Sequence, residues 1–252
     1  MTAPAVEGRR FTASRRVRLG DVTASGRLRL DALARYLQDV ASDDAADAAM
    51  PGDAAWVVRR TTIALGALPR LRDPVTLTTW CSGTGARWAE RSTRLESRAG
   101  DVLATAVALW VHVDLATGRP VRLHPRFAEV YGPSAAGRTV RARLLHPDPP
   151  ADAPEREWPL RRVDIDVLAH VNNAAYWAPV EELVGERTGR AERLSRAELE
   201  YRGGLALDEP VTLAYVRDDA SLRCWMRVAG DVRASAVVTF AGVGSGVHER
   251  EA

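Results

Sequence analysis

Between Leu28 and Ala48, apolar side chains return every three or four positions, with Leu30, Leu33, Leu37 and Val40 along one face. That spacing predicts an amphipathic helix. Beyond it the rhythm changes to alternation, and strands are expected around residues 56–64, 75–82, 88–97 and 102–114, the last with Ala106, Ala108, Trp110 and His112 on one side. An extended stretch at 15–19 and a loop at 21–26 precede the helix, and 114–120 has the residues of a hairpin turn. The remainder repeats this order: a helix over about 174–188, then strands around 196–202, 211–217, 222–228 and 234–241. Pro179 falls inside the second helix and is expected to bend it, because proline lacks an N–H and crowds the carbonyl four residues back.

The repetition is also literal. Residues 58–77 run without a gap against 194–213, and Pro74-Val75-Thr76-Leu77 recurs as Pro210-Val211-Thr212-Leu213. A second pair, Ala104 through Trp110 and Ala234 through Phe240, shares the same pattern. One fold is therefore duplicated in tandem, each copy a helix followed by a meandering antiparallel sheet, an α+β layout. The expected boundaries are an N-terminal domain at 1–130, a linker at 131–158 carrying Pro133, Pro147, Pro149, Pro150 and Pro154, and a C-terminal domain at 159–252.

Composition narrows the function. No run of apolar residues approaches the eighteen or so that span a bilayer, and Glu7, Arg9 and Arg10 precede any apolar segment, so a cytoplasmic protein without membrane contact is expected. The formal net charge of +2 is too small to imply nucleic acid. Every basic side chain is arginine, and Arg9, Arg10, Arg15, Arg16 and Arg18 form a patch that either docks an acidic group or is simply solvated. Cys81 and Cys224 lack metal-type spacing, so neither a disulfide framework nor a metal site is expected, and no cofactor is implied.

Candidate chemistry is concentrated between Asp164 and Trp177, where two carboxylates, a histidine, two amides and two aromatics share fourteen positions. Val163, Ile165 and Val167 alternate with Asp164 and Asp166, which predicts a half-buried extended segment. Asn172 or Asn173 is placed to cap a helix beginning at Ala174. Backbone N–H groups of Val171, Asn172 and Asn173 at that helix start would favour a developing oxyanion. Asp166 and His170 are the candidate catalytic pair; the bland alternative is that both only satisfy loop backbone groups.

The chain resembles the acyl-[acyl carrier protein] thioesterases of plants and bacteria. The resemblance covers about Phe11 to Ala241 and rests on Leu37 to Ala45, Trp56-Val57-Val58-Arg59-Arg60 and Thr79-Trp80-Cys81-Ser82-Gly83 in the first half. In the second half it rests on Asp166 with His170-Val171-Asn172-Asn173 and Tyr176, then Leu199-Glu200-Tyr201-Arg202. It implies a tandem double hot-dog fold, in which a long helix is wrapped by an antiparallel sheet twice over. It also implies release of a fatty acid from acyl carrier protein or coenzyme A in lipid metabolism, by a monomer or homodimer. Two positions depart from the family: Leu168 stands where plant members have asparagine, and Gly204 where they have a catalytic glutamate. Glu200, Glu198 or Glu182 would have to substitute for the missing acid. In the first half the loop from Asp21 is expected to match the one from Asp166, with Ser25 where His170 stands. That half would then supply the wall of an acyl pocket lined by Trp56, Trp80 and Trp110. Without the asparagine and glutamate, the alternative is a decayed hot-dog protein that binds acyl chains or carriers.

Overall fold

The computed structural model describes residues 8–50, 54–185 and 194–241. Strand β1 (Phe11–Arg16) leads into helix α1 (Leu30–Asp47), and β2 (Ala54–Leu65), β3 (Pro74–Thr84), β4 (Trp88–Ser97) and β5 (Val102–Asp114) follow. Helix α2 (Pro125–Ala135) and the short β6 (Glu155–Glu157) connect to helix α3 (Trp177–Gly185) and to β7 (Leu194–Tyr201), β8 (Val211–Arg217), β9 (Ser221–Val228) and β10 (Asp231–Phe240). All ten strands form one antiparallel sheet in the order β1-β3-β4-β5-β2-β7-β10-β9-β8-β6. The order reads the same from either end once β1 is matched with β6, β3 with β8, β4 with β9, β5 with β10 and β2 with β7. The halves meet where β2 pairs with β7, from Arg60 opposite Glu200 to Ala64 opposite Arg196.

Helices α1 and α3 share one core. Leu30, Leu33 and Val40 of α1 join Trp177, Val180 and Leu183 of α3 and the inward residues of both half-sheets, such as Leu77, Leu95, Leu199 and Leu213. Each of these side chains is at most 2% exposed, and burying one stabilises the fold by about 1.5–3 kcal/mol before entropy is counted. Pro179 occupies the first turn of α3, where N–H groups have no intrahelical partner, so the expected bend does not arise. The expected continuation of this helix to residue 188 lies outside the described residues. Arg9 and Arg15 of the basic run are tied to acids of α1, Arg9 to Asp44 and Asp47 and Arg15 to Asp39.

Helix α2 was absent from the expected layout. Pro133 and Gly132 disguise it, but Pro125 sits at its start after His124, whose ring accepts the Arg126 N–H at 3.1 Å. Its Phe127 and Tyr131 bury a second, smaller core with Ala48, Cys81 and Ala89. The rest of the proline-rich stretch is held against the sheet. Leu145 and His146 donate backbone N–H groups to Glu200 at 2.6 and 3.0 Å. The Trp225 indole donates to the Pro147 carbonyl at 2.8 Å, and Arg202 reaches the His146 carbonyl and Asp148.

This docking is sensitive to acid. Burial alone would raise the Glu198 carboxyl, but hydrogen bonds from His146, Thr62 and Arg196 bring it down to about 2 from 4.5. The stability it contributes is complete above pH 4.5 and is lost as pH falls towards 2. Acid titration followed by tryptophan fluorescence is expected to show native stability declining through that window, and Glu198→Gln to flatten the decline. Identical acid profiles for the two proteins would refute this.

No helix among the described residues is long and apolar enough to cross a membrane.

Candidate active site

Short-range hydrogen bonds, not a strand, shape the segment from Arg161 to Trp177. Residues Arg162–Asp164 form a 3-10 turn, and the Asp164 carboxylate accepts from both the backbone and the guanidinium of Arg161. The expected half-buried strand is thus corrected. Val163 is 83% exposed and Val167 fully exposed, while Ile165 turns inward to bridge Val171. The alternating aspartates had suggested a strand, yet each carboxylate bonds to nearby backbone instead, the local pattern that competes with a ladder. Asp166 Oδ1 accepts from the Leu168 N–H at 2.9 Å. The Asp166 N–H donates to the His170 carbonyl at 2.9 Å, and the turn closes through Ala169 in the left-handed region at φ 59°.

Asn172 caps a turn and not the expected helix start at Ala174, its side-chain oxygen accepting from the Ala174 N–H at 2.9 Å. The α-helix itself starts later, at Trp177. Three N–H groups were expected to face an oxyanion, and two are already engaged: Val171 donates to Leu205 at 2.9 Å and Asn172 to Asp164 at 2.7 Å. Among the described residues the Asn173 N–H makes no hydrogen bond. The peptide that follows is held in place, because the Tyr201 hydroxyl donates to the Asn173 carbonyl at 3.0 Å. Burial pushes the Tyr201 hydroxyl well above its ordinary range and that of Tyr176 up to about 12. Tyr201 therefore stays a donor, and the two rings meet edge to face at 5.2 Å.

Asp166, Leu168, Asn172 and Asn173 open onto a cavity of about 390 Å³, within the range of small-molecule sites. Its other walls come from the first half, including Gln38 and Ala45 of α1, Trp56, Trp110 and the α2 side chains Phe127 and Tyr131. Trp80, expected on this wall, does not line it and is 1% exposed. His170 is exposed and lies outside the lining, and no hydrogen bond joins it to the Asp166 side chain among the described residues. A Cβ on Gly204 would sit 3.3 Å from His170 Nδ1. The position at which the resemblance would place a glutamate is therefore next to the imidazole, and here it carries no acid.

Glu200 does not fill that gap. Alternation along β7 sends Tyr201 towards the helices and Glu200 to the opposite face, where it is fully buried and bound to the N–H groups of Leu145 and His146. His146, Glu198 and Glu200 bring ligand-type atoms within 4.8 Å of one another. Those atoms already have partners: Ser235 on His146, Thr62 and Arg196 on Glu198, and the linker backbone on Glu200. The grouping is a clasp for the linker.

The first half contains a structural copy of the loop. Leu19–Asp21 is a 3-10 turn, Val22 bridges Leu28, and Gly26 is left-handed at φ 83°. Thr23 N–H donates to the Arg27 carbonyl at 2.8 Å, as Asp166 does to His170, and Leu28 N–H donates to Pro69, as Val171 does to Leu205. Thr23 therefore matches Asp166 and Arg27 matches His170, correcting the expectation that Ser25 stands where His170 does; hydrogen-bond register, not residue type, sets the correspondence. Arg27 is ion-paired with Glu181 of α3, whose other oxygen accepts from the Leu30 N–H at 2.9 Å. Nothing in the sequence singled out Glu181 beyond its place in an apolar helix.

The sequence matches the acyl-ACP thioesterase N-terminal domain over residues 8–131 and the acyl-ACP thioesterase C-terminal domain over residues 148–240. An uncharacterized Mycobacterium tuberculosis protein is 32% identical over 229 residues, 90% of this chain and 91% of that one. The dodecanoyl-[acyl-carrier-protein] hydrolase of Umbellularia californica is 28% identical over 157 residues, which is 60% of this chain but 41% of the plant protein. The solved 12:0-ACP thioesterase of Umbellularia californica superimposes with a TM-score of 0.79 at 22% identity, covering 94% of this chain and 98% of that one. The architecture is accordingly the tandem double hot dog.

Proposed function

The chain belongs to the acyl-ACP thioesterase family, and from that premise we propose that it hydrolyses acyl thioesters on acyl carrier protein, or on coenzyme A, at the loop running from Asp166 to Asn173. One observation carries the reading: the half-buried Asp166 and Asn173, whose N–H has no partner among the described residues, line one cavity with a largely apolar set of first-half side chains. The acyl chain lies against Trp56, Ala45 and Phe127, and the thioester carbonyl reaches the Asn173 N–H.

Asp166 removes a proton from water as the water oxygen bonds to the carbonyl carbon, and the Asn173 N–H stabilises the oxyanion that forms. Collapse breaks the C–S bond. The thiolate leaves with a proton supplied by His170, which is exposed on the solvent side, where a carrier's thiol arm arrives. The products are a carboxylic acid and a free thiol. A second reading is binding without turnover, favoured by the apolar, 52% exposed Leu168 and by the absence of an acid at Gly204.

Hydrolysis assays with acyl carrier protein and coenzyme A thioesters of several chain lengths separate the two. Turnover well above buffer on at least one carrier is the expected result. Saturable acyl binding with no turnover on any substrate would establish the binding protein instead.

A further inference from the structure

We propose that Gln38, on α1 of the first half, holds the attacking water and supplies the carboxamide that the loop lacks at Leu168. The inference rests on the thioesterase reading above and adds a residue to its site.

The first observation is an unsatisfied atom. Gln38 Oε1 is buried without a hydrogen-bond partner among the described residues, a state that costs about 1–3 kcal/mol unless something bonds to it. The Trp110 indole N–H is in the same condition. Both side chains line the main cavity together with Asp166 and Asn173. Both also line an adjoining void of about 30 Å³, which Asn173 shares and which has room for one water. An acceptor and a donor without partners thus belong to residues that line both voids, within the site that needs a water.

The second observation comes from the internal repeat. The register that matches Asp21 with Asp164, Arg27 with His170 and Leu30 with Asn173 matches Gln38 with Glu181. In the first half, Glu181 reaches across from α3, accepts from the Leu30 N–H and pairs with Arg27. That copy of the site is filled by its own carboxylate. In the second half, α1 carries a neutral amide of the same length at the corresponding position; Gln38 and Asn173 line the same two voids, and no hydrogen bond joins them among the described residues. Glutamine at 38 leaves the N–H for the thioester oxygen and offers its own oxygen to the water. One water proton then goes to Asp166 while the other is held by Gln38 Oε1.

The test is steady-state hydrolysis by Gln38→Leu and Gln38→Glu, with melting temperature and circular dichroism confirming the fold. Gln38→Leu is expected to lose about 10²-fold in kcat with KM changed by less than about threefold. Gln38→Glu installs the carboxylate that fills the first-half copy, so it is expected to take the Asn173 N–H and to lower kcat as well, and native activity in this variant overturns the proposal. Unchanged kcat in Gln38→Leu, beside a clear loss in Asp166→Ala, overturns the role of Gln38 and leaves the function intact. A rise in KM alone, or a loss fully accounted for by unfolding, also overturns it. A native protein that turns over no thioester overturns both.

Discussion

Replacing Asp166 by alanine is expected to lower kcat for thioester hydrolysis by about 10²–10⁴-fold, with KM and the melting temperature close to those of the native chain. The size follows from what the carboxylate does and does not do. One oxygen accepts from the Leu168 N–H, and among the described residues no other side chain or backbone group claims the second. The fold loses one exposed hydrogen bond, about 1 kcal/mol, whereas the reaction loses its base. His170→Ala is expected to remain folded for the same reason, since the ring is exposed, and to lower kcat less than Asp166→Ala because Gly204 leaves the imidazole without an acid beside it. Single-turnover rates at saturating substrate would check this. Full activity in Asp166→Ala would remove the loop from the chemistry altogether.

Replacing Glu200 by alanine is expected to do the opposite, leaving kcat within about threefold at temperatures where the protein is folded while lowering stability by about 2–6 kcal/mol. Its carboxylate is fully buried and receives two linker N–H groups. Removing it strands both, at about 1–3 kcal/mol each. For a chain of this length the melting temperature should fall by roughly 5–15 °C. Chemical denaturation and differential scanning calorimetry measure this directly. A variant with native stability but abolished kcat would restore Glu200 as an acid in the reaction.

These two residues also mark how far the sequence could be read. Strands β2 to β5 and β7 to β10 were legible because alternation survives on a sheet with one face on a core, and 88–97, 102–114 and 211–217 coincide with β4, β5 and β8, whereas the short β6 lies in the stretch expected as linker. The same rule misread Val163, Ile165 and Val167, since alternating aspartates make turn bonds as readily as they line a strand face. The literal repeat at Pro74 and Pro210 revealed the duplication, but sequence similarity did not extend into the active loop. There Thr23 and Asp166 are matched only by their hydrogen bonds.

The family resemblance pointed to Asp166 and His170, and to the empty positions at Leu168 and Gly204. It did not show what lies opposite them. Gln38 reads as one polar residue on an amphipathic helix until the structure shows it lining the cavity with its oxygen buried and without a partner among the described residues. Glu181 could be found only by asking which buried carboxylate meets a helix start 151 positions away in the chain. Alternation left Glu200 open to either face of its strand, and the linker that it binds, on the face away from the helices, carries no periodicity.

The pairing of β2 with β7 joins the halves into a single polypeptide sheet. Two identical subunits meeting at such a seam must carry every mutation twice, once on each side of the axis. A joined chain carries it once. A glutamate able to close one pocket and a glutamine that leaves the other open can then be inherited together, so each half is free to change without dragging its twin along.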